Sequence, residues 1–91
     1  LGDVYKRQEY EYIDKDTFGW PGWAVKELGE DIELIGLDSD VCVISNALII
    51  KAFYPDANIT VDASCCAGVT REKHKAAMEV MKSCQIDVFG E

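Results

Sequence analysis

The apolar positions of this chain fall into short runs typical of buried strands and longer runs typical of helices. The predicted strands are 32–37, 58–63 and 86–89, and the predicted helices are 41–54 and 71–83. Pro55 ends the first helix, because its ring removes a backbone donor and clashes with the preceding turn. That helix is apolar on nearly every side, so we expect the folded protein to cover most of it.

Polar and glycine-rich positions between these runs predict caps and loops. Asp40 is a candidate N-cap for the first helix and Thr70 for the second, because their side-chain oxygens can accept from free backbone N–H groups. Aromatic or aliphatic residues alternate with polar ones over 10–13, which predicts a further short strand. Residues 24–28 have room for one or two helical turns, and residues 65–68 are predicted to be a loop.

The order of these elements predicts the fold class. Strands alternate with helices through short connections, which favours an α/β fold with parallel strands and right-handed crossovers. We expect half of a doubly wound, Rossmann-like parallel sheet, with about three core strands, two crossover helices and one edge that lacks a partner. The length of 91 residues allows one domain or part of one.

Composition and charge exclude several classes of function. The formal net charge is −8, which argues against nucleic-acid and anionic membrane partners, because phosphate binding needs clustered Lys and Arg. No apolar run approaches the ~20 residues of a membrane helix, and no apolar leader segment is visible. A hydrophobic content of 48% predicts a packed core rather than disorder.

The cysteines indicate the compartment. The spacing of Cys42, Cys65, Cys66 and Cys84 fits no zinc pattern and the chain has one histidine, so we expect no metal site built from this segment alone. Mostly apolar neighbours favour reduced thiols of an intracellular protein, and we expect a cytoplasmic location.

Cys42 lies where the first predicted strand passes through a short polar turn into the first long helix. Open α/β sheets bind ligands at the carboxyl ends of their strands. The partial positive charge of a helix N-terminus favours a thiolate, which is the nucleophilic form of cysteine. Cys42 is therefore a candidate nucleophile, although a buried structural thiol is an equally good explanation of this placement alone.

Three segments, at residues 12–19, 36–43 and 59–70, together resemble the C-terminal half of an isochorismatase-like cysteine hydrolase, the superfamily that includes nicotinamidases. Residues 12–19, Tyr-Ile-Asp-Lys-Asp-Thr-Phe-Gly, are similar to the family's strand that ends in a catalytic lysine. Residues 36–43, Gly-Leu-Asp-Ser-Asp-Val-Cys-Val, are similar to its nucleophile turn, Gly-x-x-Thr-Asp-x-Cys-Val. Residues 59–70 are similar to the following strand and loop, and all three segments match in order and spacing.

The resemblance implies roles for particular residues. Cys42 would be the nucleophile and Lys15 the lysine of an aspartate–lysine–cysteine triad, whose aspartate has no matching position here. The backbone N–H groups of Asp38 and Cys42 would form the oxyanion hole, with a non-proline cis peptide at Leu37–Asp38. Family members often hold a divalent metal such as zinc through upstream residues, so the resemblance allows one in a full-length parent.

Two positions depart from the family pattern. Ser39 replaces the usual threonine, and Asp38 replaces a small uncharged residue. A carboxylate aimed at the thiol would oppose thiolate formation, so we expect the Asp38 side chain to point to solvent.

Other candidate residues have two explanations each. Lys15 on its own would be a solvated surface charge. Phe18, Trp20 and Trp23 are candidates for binding a flat substrate ring, but the two tryptophans fit equally well as packing under their loop or against a partner subunit. His74 lies among charged neighbours, which favours a solvated helix face over a ligand.

The leading functional hypothesis is a cysteine amidohydrolase that cleaves the C–N bond of a small amide, nicotinamide being the first candidate, through a thioester. One alternative is a non-catalytic interaction module with the same fold. Another is an ether hydrolase acting on an isochorismate-like substrate, against which Cys42 counts. The partner is expected to be a small molecule, and a homo-oligomer is left open.

The first eight residues resemble translated sequencing-adaptor sequence and are expected to be foreign. Residues 9–91 would then be a partial isochorismatase-like hydrolase domain whose parent continues upstream. We expect the chain as given to lack activity, because the triad aspartate and the metal ligands have no counterpart in it.

Overall fold

A computed structural model describes residues 11–91 and shows an α/β fold. Its strands are β1 (Asp31–Leu37), β2 (Asn58–Ala67) and β3 (Asp87–Phe89), and its helices are α1 (Ile44–Phe53) and α2 (Arg71–Ser83). A 3₁₀ turn (Pro21–Ala24) precedes β1, and a π-helical turn (Ser39–Val43) connects β1 to α1. The predicted alternation of strands and helices is confirmed.

The three strands form one parallel sheet in the order β1-β2-β3. The pairing of β1 with β2 runs regularly from Asp31↔Asn58 to Leu34↔Val61, and resumes at Gly36↔Cys66. Between these two stretches β1 advances by two residues and β2 by five, so β2 bulges away from its neighbour.

The core lies between the sheet and the two helices. Its buried hydrophobic residues come from both helices, from one face of β2 and from the segments that flank them: Val43, Ala47, Ile50, Ile59, Val61, Ala63, Ala77, Met78, Met81 and Ile86. The first helix is less covered than its apolar pattern predicted, since Phe53 is 49% exposed. The edge strand β1 also exposes apolar side chains, with Ile35 60% and Leu37 70% exposed.

Two elements predicted before β1 differ in the structure. The predicted strand at 10–13 is not formed over residues 11–13, and Tyr10 lies outside the described residues. A strand needs a hydrogen-bonded neighbour, and the described sheet consists of β1, β2 and β3 alone. The helical turns predicted at 24–28 are replaced by the earlier 3₁₀ turn, because Pro21 sets the first turn position and the Gly22 carbonyl accepts from the N–H of Val25.

The prediction of a loop at 65–68 is also corrected by the structure. Strand β2 continues to Ala67, because Cys66 and Ala67 pair again with Gly36 and Leu37 after the bulge. The residue pattern along β2 could not show this, because the strand resumes after the bulge only through its pairing with β1.

The two predicted helix caps have different outcomes. Thr70 caps α2 as predicted, and its Oγ1 accepts from the Lys73 backbone N–H at 3.1 Å. Asp40 does not cap the first helix: it lies inside the π-helical turn, and its Oδ1 accepts instead from the Val69 N–H at 3.0 Å. No helix in the described part of the chain is long and apolar enough to span a membrane.

Candidate functional site

The turn that carries Cys42 lies at the carboxyl end of β1. The Leu37–Asp38 peptide bond is cis, as the resemblance implied. Cys42 is half-buried in the π-helical turn that follows, and this turn leads directly into α1. The thiol is therefore at the strand–helix junction that the sequence predicted.

Backbone hydrogen bonds fix the shape of this turn. The N–H groups of Val41 and Val43 both donate to the Asp38 carbonyl at 3.1 Å. Neither group is one of the two predicted oxyanion donors, the N–H groups of Asp38 and Cys42. The oxyanion hole itself, and the direction of the Asp38 side chain, stay predictions.

Lys15 is next to the thiol. Its Nζ donates to Cys42 Sγ at 3.6 Å and to the Thr17 carbonyl at 2.9 Å. The two residues are 27 positions apart in the chain, so the fold brings them together. Lys15 lies in a loop rather than at the end of a strand, and it is exposed. A neighbouring ammonium group favours the thiolate form of a cysteine.

A cleft of about 210 Å³ opens beside this pair. Its lining combines the thiol and the ammonium group with mostly apolar side chains: Lys15, Trp23, Leu34, Ile35, Leu37, Cys42, Val43 and Asn46. Of the three aromatic candidates, Trp23 lines this cleft, whereas Trp20 and Phe18 are outside the lining and Phe18 is 67% exposed. Their role in substrate binding stays a prediction. A larger cleft, of about 520 Å³, lies near Tyr54 and Asn58 and has no thiol in its lining.

Asn46 is a site residue that the sequence reasoning missed. Its Oδ1 accepts from the Trp20 backbone N–H at 2.7 Å and from the Trp23 indole N–H at 2.9 Å. The two indole rings meet edge to face, with centroids 4.8 Å apart. A polar residue one turn after Cys42, in a mostly apolar helix, was the available signal.

His74 is the second missed residue, and its predicted solvated position is wrong. Its Nδ1 lies 2.6 Å from the hydroxyl of Ser39, which is fully buried. The helix face of His74 therefore packs on the π-helical turn rather than facing water. Neighbouring charges in the sequence could not reveal a partner 35 residues away.

A second contact ties the same turn to the loop before α2. The Asp40 carboxylate accepts from the Val69 N–H, and Gly68 lies against that carboxylate and the His74 backbone. A Cβ on Gly68 would be 2.9 Å from the His74 backbone nitrogen and 3.0 Å from Asp40 Oδ1. The absence of a side chain at this position lets loop and turn approach closely.

All four cysteines are free, with Cys65 and Cys84 exposed. Burial raises the pKa of the Cys66 thiol, which keeps it neutral and poorly reactive. In the bulge of β2, the Ser64 hydroxyl and backbone N–H both donate to Asp62 Oδ1, at 2.6 and 3.0 Å. The hydroxyl bond is the main reason that the pKa of Asp62 is lowered.

Among residues 11–91, no three His, Cys, Asp or Glu side chains are arranged to hold a metal ion. The described residues therefore do not fit the divalent metal that the resemblance allows, and any such site would need ligands from elsewhere.

Comparisons with known proteins match the fold described above. A family model described as the isochorismatase domain matches residues 22–90, which include the Cys42 turn but not Lys15. No curated protein matches.

Two solved structures show the same fold. The nicotinamidase from Staphylococcus aureus is 24% identical with a TM-score of 0.59, over 66% of this chain and 38% of that one. An isochorismatase family protein from Desulfovibrio vulgaris is 19% identical with a TM-score of 0.57, over 65% of this chain and 30% of that one. The chain thus spans well under half the length of either protein.

Proposed function

Because this chain belongs to the isochorismatase family, we propose that its parent protein is a cysteine amidohydrolase that cleaves the C–N bond of a small planar amide. The observation that carries the proposal is the 3.6 Å contact between Lys15 Nζ and Cys42 Sγ at the wall of a cleft. Nicotinamide is the first candidate substrate, and the likeness to a nicotinamidase supports that choice at the level of fold.

The residues around the thiol suggest how the reaction proceeds. The Lys15 ammonium stabilises the Cys42 thiolate, which attacks the amide carbonyl carbon and forms a C–S bond. The oxygen then carries a negative charge, which the backbone N–H groups of Asp38 and Cys42 are proposed to stabilise. The tetrahedral intermediate breaks its C–N bond and releases ammonia, which leaves a thioester on Cys42.

Water completes the cycle by hydrolysing the thioester to the carboxylate and the free thiol. The leaving nitrogen needs a proton, and the thiol proton needs an acceptor. The resemblance implies a triad aspartate on an earlier strand, and we propose that this aspartate performs both tasks.

The lining of the cleft supports a flat, mostly apolar substrate. Trp23, Leu34 and Leu37 offer aromatic and aliphatic surface beside the thiol. A volume of about 210 Å³ has room for a single ring bearing an amide, and little more. Burial of such a ring would exclude water from the thiolate and strengthen its interaction with Lys15.

The test is ammonia release by the full-length parent from a panel of small aromatic and aliphatic amides. Cys42→Ala should lower kcat/KM by at least a thousandfold, because no other group replaces the nucleophile. Cys84→Ala is the matched control, since Cys84 is an exposed thiol away from the cleft, and it should keep full activity. Equal turnover by the parent and Cys42→Ala would refute the cysteine mechanism.

The interaction-module hypothesis makes the opposite prediction for the same assay. Asp38 keeps this alternative open, because a carboxylate follows the cis peptide where the family has a small residue. A parent that hydrolyses no amide in the panel, with or without Cys42, would favour it.

A further inference from the structure

We propose that Asn46 is the positioning residue that holds the Lys15 loop on the nucleophile helix. The catalytic role of this contact rests on the proposed function, whereas the contact between Asn46 and the loop does not depend on it. This segment, residues 15–23, is the lysine loop.

Asn46 contacts the lysine loop at three points. Its side-chain oxygen accepts from the Trp20 backbone N–H at 2.7 Å and from the Trp23 indole at 2.9 Å. Its side-chain nitrogen donates to the Phe18 carbonyl at 3.3 Å. One side chain of α1 thus fixes both backbone and ring groups of a loop that is 23–28 residues earlier in the chain.

These bonds leave Asn46 little capacity for a ligand. A side-chain amide oxygen has two lone pairs, and both are used by the two tryptophans. Asn46 lines the cleft, so an amide-binding role would otherwise be the natural expectation. Saturation of its oxygen assigns it to holding the loop instead of recognising the substrate.

The lysine depends on this anchoring because its own surroundings are open. Lys15 is exposed, and its ammonium group donates within the loop to the Thr17 carbonyl as well as to the thiol. The Thr17 hydroxyl in turn donates to the Gly19 carbonyl. The loop is therefore internally bonded, so its attachment to α1 sets where the ammonium group lies.

The backbone of the loop also lies directly on α1. A Cβ on Gly19 would collide with the Ile49 side chain and would be 3.4 Å from Ser45 Cβ. Asn46 and Cys42 are one helical turn apart and so share a face of the helical segment. The thiol and the group that positions its partner are thus neighbours on one surface.

The measurement is the pH dependence of Cys42 alkylation by iodoacetamide in the 91-residue chain, followed by mass spectrometry of the peptide that contains Cys42. Lys15→Met should slow Cys42 alkylation at neutral pH by about tenfold, because the thiolate loses a neighbouring positive charge. Asn46→Ala should slow alkylation by a similar factor, because the ammonium group is no longer held beside the thiol. The double variant should resemble either single variant, because both changes remove one interaction.

A control and two further variants complete the test of the anchoring. Asn58→Ala is the matched control: its amide donates to Asp31 at 2.9 Å away from the cleft, so the Cys42 profile should not move. Asn46→Asp keeps the oxygen that accepts from the two tryptophans but loses the donor to the Phe18 carbonyl. The near-ultraviolet circular dichroism signal of the tryptophan pair should be retained in Asn46→Asp and lost in Asn46→Ala. If Asn46→Ala fails to fold, Trp23→Phe removes one of the same bonds and should shift the profile in the same direction.

An Asn46→Ala profile that overlays the wild-type one, while Lys15→Met shifts it, would overturn the inference. So would additive shifts in the double variant. Absence of amide hydrolysis by the parent would instead refute the proposed function and leave the alkylation result to stand on its own.

Discussion

The hydrogen bond between Ser39 and His74 predicts an unequal response to removing its two partners. Ser39 is 0% exposed, whereas His74 is half-buried, and the two side chains are 2.6 Å apart. Ser39→Ala removes the buried hydroxyl and lets the histidine nitrogen turn to water. The expected loss is that of one ordinary hydrogen bond, about 0.5–1.5 kcal/mol of unfolding free energy.

His74→Phe keeps a ring but leaves the Ser39 hydroxyl buried without its partner. An unsatisfied buried hydroxyl has a desolvation penalty of about 1–3 kcal/mol, so this change should destabilise the fold more than Ser39→Ala. Adding Ser39→Ala to His74→Phe removes the orphaned hydroxyl. The double variant should therefore be more stable than the sum of the single effects predicts.

Urea unfolding of the chain, followed by tryptophan fluorescence, measures these differences. Lys75→Ala changes an exposed neighbour on the same helix and should stay within about 0.5 kcal/mol of wild type. The reasoning fails if Ser39→Ala costs as much as His74→Phe, or if the two effects simply add.

Two further predictions concern the close approach at Gly68 and the bulge in β2. Gly68→Ala should lower the free energy of unfolding by about 1–3 kcal/mol, because its Cβ would lie 2.9 Å from backbone. Gly29→Ala is the control, since its Cβ would have no neighbour within 4 Å, and it should be tolerated. Thermal unfolding measures both variants. Ser64→Ala should lower the urea midpoint at pH 7. Hydrogen bonding, mainly to the Ser64 hydroxyl, lowers the pKa of Asp62. Its contribution is therefore fully present above the ordinary aspartate pKa and is lost as pH falls through the lowered pKa of the folded state. The gap to wild type should narrow over this acid range, and a gap that stays constant would contradict this.

The sequence predicted those parts of the fold that depend on local pattern. The β-branched run predicts β2, the apolar residues predict α1, and Thr70 predicts the start of α2. Each of these signals lies within a few neighbouring residues, and each element is present. The position of Cys42 at a strand–helix junction follows from the order of these elements. The Lys15–Cys42 contact came from the resemblance, since nothing local to Lys15 distinguishes it from a surface lysine.

The missed features depend on partners distant in the chain. Asp40 is a good cap by composition, but the Val69 N–H competes for its oxygen. His74 sits among charges, yet its ring meets a buried hydroxyl 35 residues earlier. The unformed strand at 11–13 shows the same dependence, because alternation creates a strand only where a neighbouring strand is present to pair with it.

The bulge in β2 has a consequence for how this family can vary in length. The ladder between β1 and β2 is regular up to Leu34↔Val61 and again from Gly36↔Cys66, and the pairing of β2 with β3 ends at Asp62↔Phe89, so residues 63–65 pair with neither strand. An insertion or deletion there would leave both paired stretches in register and keep the Cys42 turn in place. Relatives should therefore differ in chain length at this point more readily than elsewhere along β2, and an alignment that forces a gap into either paired stretch would be misplaced.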